Sequence, residues 1–455
     1  MKASSLPSFA SAHAGLGCAL AVLILGLAPL RAAAPAAPVA ELPPLTIPAA
    51  AQASDHFDAR AATDAYLAEI PSTAKARSDA YFEGGYWLVL WDFLAGAVIS
   101  LLLLQLRWSA RLRDLAERVT RFKPVQSLLY WAGYLVASTV LVSPLTVYEG
   151  YIREHQYGLA TQTFGPWAID QLKQLLVGIV TGGVLVMILF GIVRRLARTW
   201  WLWGTIVTTA LFAVLLMVAP VYITPLFNQV TRLEDPRITG PILGLARAYG
   251  IPARDVYVVD ASRQSTRISA NVSGLGDTLR ITLNDNLLRR CSLEEIEAVM
   301  AHEMGHYVLN HSAIILGFYF LLFAAGFGWM RWGLDWSLRR WGARWGLRGV
   351  GDLAVVPLAL LLISICFFVL TPVTNNFSRA LETQADLFGL AAARQPDGFA
   401  QAAIQLSEYR KMSPGPFEEW LFYDHPSGRA RIYAAMRWKA ENLGSVAAPA
   451  AEPEK

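Results

Sequence analysis

Histidine is scarce in this 455-residue chain, seven in all, yet two of the seven stand four residues apart in the run His302-Glu303-Met304-Gly305-His306. The local sequence reads as a helix. Ser292 with Glu295 three residues later makes a capping box, and Ile296, Val299 and Met300 follow at helical spacing. On a helix, His302 and His306 project from one face and can grip a single ion. Zinc suits such a pair, and Glu303 beside them can act as the base that takes a proton from water activated by the metal. The bland alternative is two satisfied surface or core histidines.

Two histidines leave a tetrahedral zinc short of one protein ligand and one open position. Glu382, in Arg379-Ala380-Leu381-Glu382-Thr383-Gln384-Ala385-Asp386, is the candidate for the missing ligand. Asp386 lies one turn beyond it on the same face, where it can accept the outer N–H of a ligating histidine and fix its tautomer. The plain reading of this pair is a solvated helix face with Arg379 nearby. Three further positions are assigned roles at the site. Asn271 marks an edge strand for pairing with an extended peptide, His425 a donor to the oxyanion of a tetrahedral intermediate, and Arg431 a positive charge close by. His311 reads as off the His302/His306 face at the membrane edge, and His155 lies on a distant loop, so neither is assigned to the metal.

These residues need a scaffold, and composition says which kind. Apolar residues make up 55 % and charged residues 16 %, with a mean hydropathy of +0.38. That much apolar surface does not fit inside a soluble globule. Six apolar segments, each of roughly the 20 residues a span needs, run near 86–106, 125–145, 172–193, 201–221, 312–331 and 353–372. Trp87, Trp108, Trp200 and Trp332 sit at segment ends, as an interfacial belt requires. The expected fold is mainly α: a polytopic helical membrane protein of six to seven spans with a small α+β zinc-metalloprotease cap. The last two segments form a hairpin, which brings the Glu382 helix back beside the His306 helix.

The chain divides accordingly into residues 1–34, a signal peptide or signal anchor; 35–85, an extramembrane linker and N-terminal helices; 86–221, four spans; and 222–311, an α+β catalytic segment. A two-span hairpin over 312–373 follows, then 374–455 with the third-ligand helix and a helical tail. Strand character falls at Pro252 to Val259 and Thr278 to Leu283, with a turn at Gly274-Leu275-Gly276-Asp277. Arginine concentrates in three short loops on one side, led by Arg107, Arg111 and Arg113, Arg194 and Arg195, and Arg339 and Arg340, whereas the opposing loop 146–171 holds only Arg153. The basic side then faces the cytoplasm, which puts the metal motif across a bacterial inner membrane, on the periplasmic side. Cys18, Cys291 and Cys366 match no zinc ribbon, redox pair or disulfide framework, and no basic-aromatic cluster suggests nucleic acid.

The sequence resembles the type I CAAX prenyl protease family of membrane zinc peptidases, as a bacterial member, from about Tyr66 to Trp438. Its motifs are His302-Glu303-Met304-Gly305-His306, the Glu382-to-Asp386 segment, and the Asp424-His425-Pro426 turn with Arg431 six residues after the histidine. Tyr148 to Leu159 and Pro225-Leu226-Phe227-Asn228 resemble the family's non-catalytic segments. The resemblance implies a barrel of helices with the zinc site under a soluble cap, one Zn2+ held by His302, His306 and Glu382, Glu303 as base, and Asn271, His425 and Arg431 lining the site. It also implies a prenylated C-terminal peptide as substrate in eukaryotic members, which a periplasmic site does not favour. The expected activity is zinc-dependent endopeptidase action on peptide or membrane-protein substrates within the lipid. The alternatives are a proteolytically idle zinc protein that binds clients, and a transporter, which would need ionisable groups at mid-depth.

Overall fold

The computed structural model describes residues 41–274 and 279–446. The signal or anchor expected over 1–34, most of the turn at 274–277 and the tail from Ala447 lie outside them. Helix α1 (Ala59–Ala68) starts at Asp58, whose carboxylate accepts from the Arg60 amide at 2.8 Å, supplying one of the partners that a helix N-terminus lacks. Helix α2 (Ser72–Gln105) has 34 residues and is about 51 Å long at 1.5 Å per residue. A bilayer core is only about 30 Å thick, so the first turns of α2 stand outside the lipid. Of the helices expected before residue 86, α1 is separate and the second is the outer end of α2.

Helix α3 (Trp108–Val119) occupies what reads in sequence as a basic loop. Its Arg113 is not a solvated charge: it is buried and pairs with buried Asp352 at 2.5 Å, tying α3 to a turn more than 200 residues further along the chain. The membrane helices continue with α4 (Lys123–Gln156), α5 (Phe164–Arg195) and α6 (Trp200–Phe227).

The chain then leaves the apolar region. Strand β1 (Val230–Arg232), helix α7 (Pro236–Ala248), and strands β2 (Val256–Val259), β3 (Ala270–Ser273) and β4 (Arg280–Asn284) form a four-stranded sheet of order β1-β2-β4-β3. β2 and β4 run parallel, and the outer strands are antiparallel to their neighbours. β3 is therefore an edge. Helices α8 (Asp285–Arg290) and α9 (Leu293–Val308) follow. The apolar residues of α7 at Ile238, Ile242 and Ala246 pack with Ile281, Leu283, Ile296, Met300 and Met304 into one core. Burying each of the larger side chains contributes about 1.5–3 kcal/mol, and the result is a rigid mount for α9.

Helix α10 (His311–Trp345) returns to the apolar region, and α11 (Val356–Val369) crosses back. Among the described residues five helices are long and apolar enough to cross a membrane, or six if the bent pair Leu353–Val369 and Thr371–Ala393, our α12, which meet at 56°, is counted as one span. The bend differs from the independent cap helix expected from about Asn375. Pro372 in the first turn of α12 explains the break, because proline cannot continue the ladder from α11 but fits a new N-terminus. The chain closes with α13 (Pro396–Gln405), α14 (Pro416–Phe422) and α15 (Gly428–Val446). A second core of Ala298, Leu390, Phe399, Ala400, Ile432 and Met436 welds α9, α12, α13 and α15 together.

Candidate metal centre

The mount for the site is set by the start of α9. Ser292 caps the helix by accepting from the Glu295 amide at 3.3 Å, and Glu295 reaches back to the Ser292 amide at 2.7 Å. This is the reciprocal capping box expected from sequence. Against α9 lies α12, and the crossing is unusually close because two glycines face it. A Cβ on Gly389 would meet the His302 amide nitrogen at 2.9 Å, and one on Gly305 would meet the Ala385 backbone at 3.3 Å. Glu382, Asp386 and Gly389 recur at helical spacing along α12, so the face that touches α9 also carries the two carboxylates.

The crossing brings three lone-pair donors together. His302 Nε2 is 3.2 Å from His306 Nε2 and 3.3 Å from Glu382 Oε2, and His306 Nε2 is 3.6 Å from Glu382 Oε1. Glu382 Oε2 is buried, and the polar atoms nearest it among the described residues are imidazole nitrogens, His302 Nε2 and His425 Nε2, each at 3.3 Å. A tetrahedral zinc at 2.0–2.1 Å from its ligands needs them about 3.3 Å apart. The triangle therefore fits that ion in size and in donor chemistry. Among the described residues His302, His306 and Glu382 form a group able to hold a metal.

Behind each histidine stands a different support. His302 is buried, and its Nδ1 lies 2.7 Å from Asp386 Oδ1. Asp386 in turn takes a two-pronged ion pair from Arg431, whose Nε is 2.9 Å from Oδ2 and whose guanidinium also lies over the Phe399 ring. An Nδ1–H donated to Asp386 leaves the Nε2 lone pair aimed at the metal position. Arg431 is thus placed behind Asp386, one step further from the metal triangle than the charge-stabilising role assigned from sequence.

His306 leans the other way. Its Nδ1 lies 2.9 Å from His311 Nδ1, and His311 Nε2 lies 3.3 Å from Gln384 Oε1. With Gln384 as acceptor, His311 carries its proton on Nε2 and accepts at Nδ1 from His306 Nδ1–H, which again frees Nε2 for a metal. His311, which the sequence assigns no part in the metal, is not in the triangle but packs behind it against His306. α9 ends at Val308, and Asn310, with φ +54°, turns the chain so that His311 folds back against His306. Extrapolating helical phase through Leu309 and Asn310 misplaces it. Asn just beyond a periodic stretch was the available stop signal.

The electrostatics follow from these partners. Burial alone would push His302 down, but Asp386 and Glu382 overcome it and raise His302 to about 9. His306 is pushed down to about 4 by its own burial and by positive charge on His302. In the metal-free site, one histidine holds an extra proton and the other does not.

The remaining predicted residues fall around this triangle. Glu303 is half-buried and close enough for its charge to bear on His306. His425 is buried, with Nδ1 at 2.8 Å from Asp424 Oδ1 and Nε2 at 3.3 Å from Glu382 Oε2. Asn271 pairs with Thr282 in edge strand β3, which lies against α9. His155 is exposed, with its Nδ1 beside the Tyr151 carbonyl, and is not part of the triangle.

Comparison with known proteins extends this picture. A family model described as peptidase family M48 matches residues 186–439. A second, described as CAAX prenyl protease N-terminal with five membrane helices, matches residues 58–229, where four helices able to cross a membrane lie among the described residues. A Bacillus subtilis protein described as the uncharacterized metalloprotease YhfN is 32% identical over 331 residues, 72% of this chain and 78% of its own. The Oryza sativa CAAX prenyl protease 1 homolog is 29% identical over 68% of this chain and 73% of its own. The crystal structure of S. mikatae Ste24p shares the fold, with a TM-score of 0.68 at 23% identity over 81% of this chain and 89% of that one.

Proposed function

The chain belongs to peptidase family M48, in its CAAX prenyl protease branch, and from that premise we propose that its metal is zinc, held by His302, His306 and Glu382. The protein is a multi-pass, membrane-embedded metalloprotease. The observation that carries the zinc assignment is the triangle of two imidazole nitrogens and a carboxylate at 3.2, 3.3 and 3.6 Å.

When bound, zinc supplies Lewis acidity that polarises a peptide carbonyl and makes water nucleophilic near neutral pH. Glu303 takes the proton of the attacking water and returns it to the leaving amine. His425, steadied by Asp424, donates from Nε2 to the developing oxyanion. Asp386, with Arg431 behind it, holds His302 in the tautomer that presents Nε2. The edge of β3 at Asn271 aligns an extended substrate chain by strand pairing. The substrates are peptides or membrane proteins. The uneven distribution of arginine supports a bacterial inner membrane with the site on the periplasmic side, and there a prenylated tail is not required.

The test compares detergent-purified wild type with Glu303→Gln for zinc content and for cleavage of a generic peptide library. One zinc equivalent in both is expected, with cleavage lowered about 10²–10⁴-fold in the variant, the range of a lost general base. Zinc without cleavage in either protein would favour an idle client-binding role, and no zinc in either would remove the assignment.

A further inference from the structure

Helix α14 is built inside out. Two of its three aromatic residues face outward: Phe417 is 72% exposed and Trp420 49%, their rings stacked at 5.8 Å. Its carboxylates face inward. Glu418 accepts from the Tyr86 hydroxyl at 2.7 Å and from Lys411 at 2.9 Å, and Glu419 accepts from the Ser427 amide at 3.0 Å. A helix on a water-exposed surface shows the reverse arrangement.

Its place in the fold explains the inversion. Phe422 stacks on Tyr86 of α2 at 3.9 Å, and Asn375 and Asn376 of α12 donate to the carbonyls of Leu421 and Trp420 at 2.9 and 2.8 Å. Both neighbours are membrane helices at the point where their apolar runs begin or end. Beside Tyr86, Trp87 and Trp91 are 63% and 52% exposed on α2, and Val369 at the end of α11 is 67% exposed. The outward face of α14 therefore continues the lipid-facing flanks of two spans, at the level where tryptophan anchors collect.

We propose that α14 lies in the interfacial layer of the bilayer, with Phe417 and Trp420 set among lipid headgroups and the first acyl methylenes. The occupant of this face is lipid. Because α14 runs directly into Tyr423, Asp424 and His425, lipid contact also steadies the turn that carries His425, a consequence that rests on the proposed role of His425 while the lipid seating itself does not.

The experiment uses the full chain in phosphatidylcholine–phosphatidylglycerol vesicles, with all three native cysteines replaced by alanine. Nitroxide labels are placed at Phe417→Cys and, for reference, at Arg429→Cys on the cap. Relaxation by oxygen, which partitions into lipid, is expected to exceed relaxation by an aqueous nickel chelate several-fold at 417, with the opposite order at 429. Equal water accessibility at the two positions, or protection from both agents at 417 as a protein partner would give, overturns the proposal. A second measurement needs no label: lipids brominated near the headgroup should quench wild-type fluorescence more than that of Trp420→Phe. Identical quenching of the two proteins also overturns it.

Discussion

The His302 side chain, 1% exposed, rests on a buried carboxylate and guanidinium, while that of His306, one turn away and 26% exposed, rests on a neutral imidazole and an amide. The two supports reach the same end, a lone pair on Nε2 aimed at one point. Their energetics differ. The Asp386–Arg431 pair is costly to desolvate and holds only while both partners are present, so breaking it costs about 3–5 kcal/mol. The His311–Gln384 link involves neutral groups, and removing one acceptor costs about 1–3 kcal/mol. The buried side therefore depends more strongly on its partners than the open side does.

The largest expected effect comes from removing the charge on the buried side. Asp386→Asn leaves Arg431 buried without its counter-charge. It should lower unfolding stability in detergent by about 3–5 kcal/mol and weaken zinc binding by about 10–100-fold in chelator competition. On the open side, His311→Phe keeps the ring volume but removes the acceptor for His306. It should cost only about 1–3 kcal/mol, with zinc affinity lowered by about tenfold, the low end for an outer-shell partner. If the two variants lose equally, the contrast between the supports fails.

The proton count gives the smallest and sharpest discrimination. With His302 raised to about 9 and His306 lowered to about 4, only His302 carries an extra proton between those values in the metal-free protein. Zinc must displace that proton, so affinity should rise about tenfold per pH unit up to about 9. Calorimetry in buffers of different ionisation enthalpy should find about one proton released per zinc at pH 7.5. Release of two protons would show that the histidines are held alike.

Much of this was legible in the sequence because the relevant spacings are local. The helical placement of His302 and His306, the capping box at Ser292 and the Glu382–Asp386 pair each depend on residues within one or two turns. The return of Glu382 to the metal motif followed from counting two apolar segments. Five of the six apolar segments coincide with single helices that overrun them, since hydropathy marks only the lipid-buried part of a helix such as α2, whereas the sixth, 353–372, runs across the break between α11 and α12. What the sequence hid depends on bends and distant partners. The 56° break at Leu370 sets the angle of α12, the left-handed Asn310 redirects His311, and Arg431 finds Asp386 across 45 positions. None of these has a periodic signature, although Pro372 and Asn310 were visible as possible stops.

The most direct test of the central claim is anomalous diffraction at the zinc absorption edge on crystals of the zinc-loaded protein. We expect a single peak within about 2.0–2.2 Å of His302 Nε2, His306 Nε2 and a Glu382 carboxylate oxygen, with Asp386 and His311 still bonded to the opposite ring nitrogens. A peak ligated by His311 or His425 in place of any of the three, or no peak between α9 and α12, would contradict it.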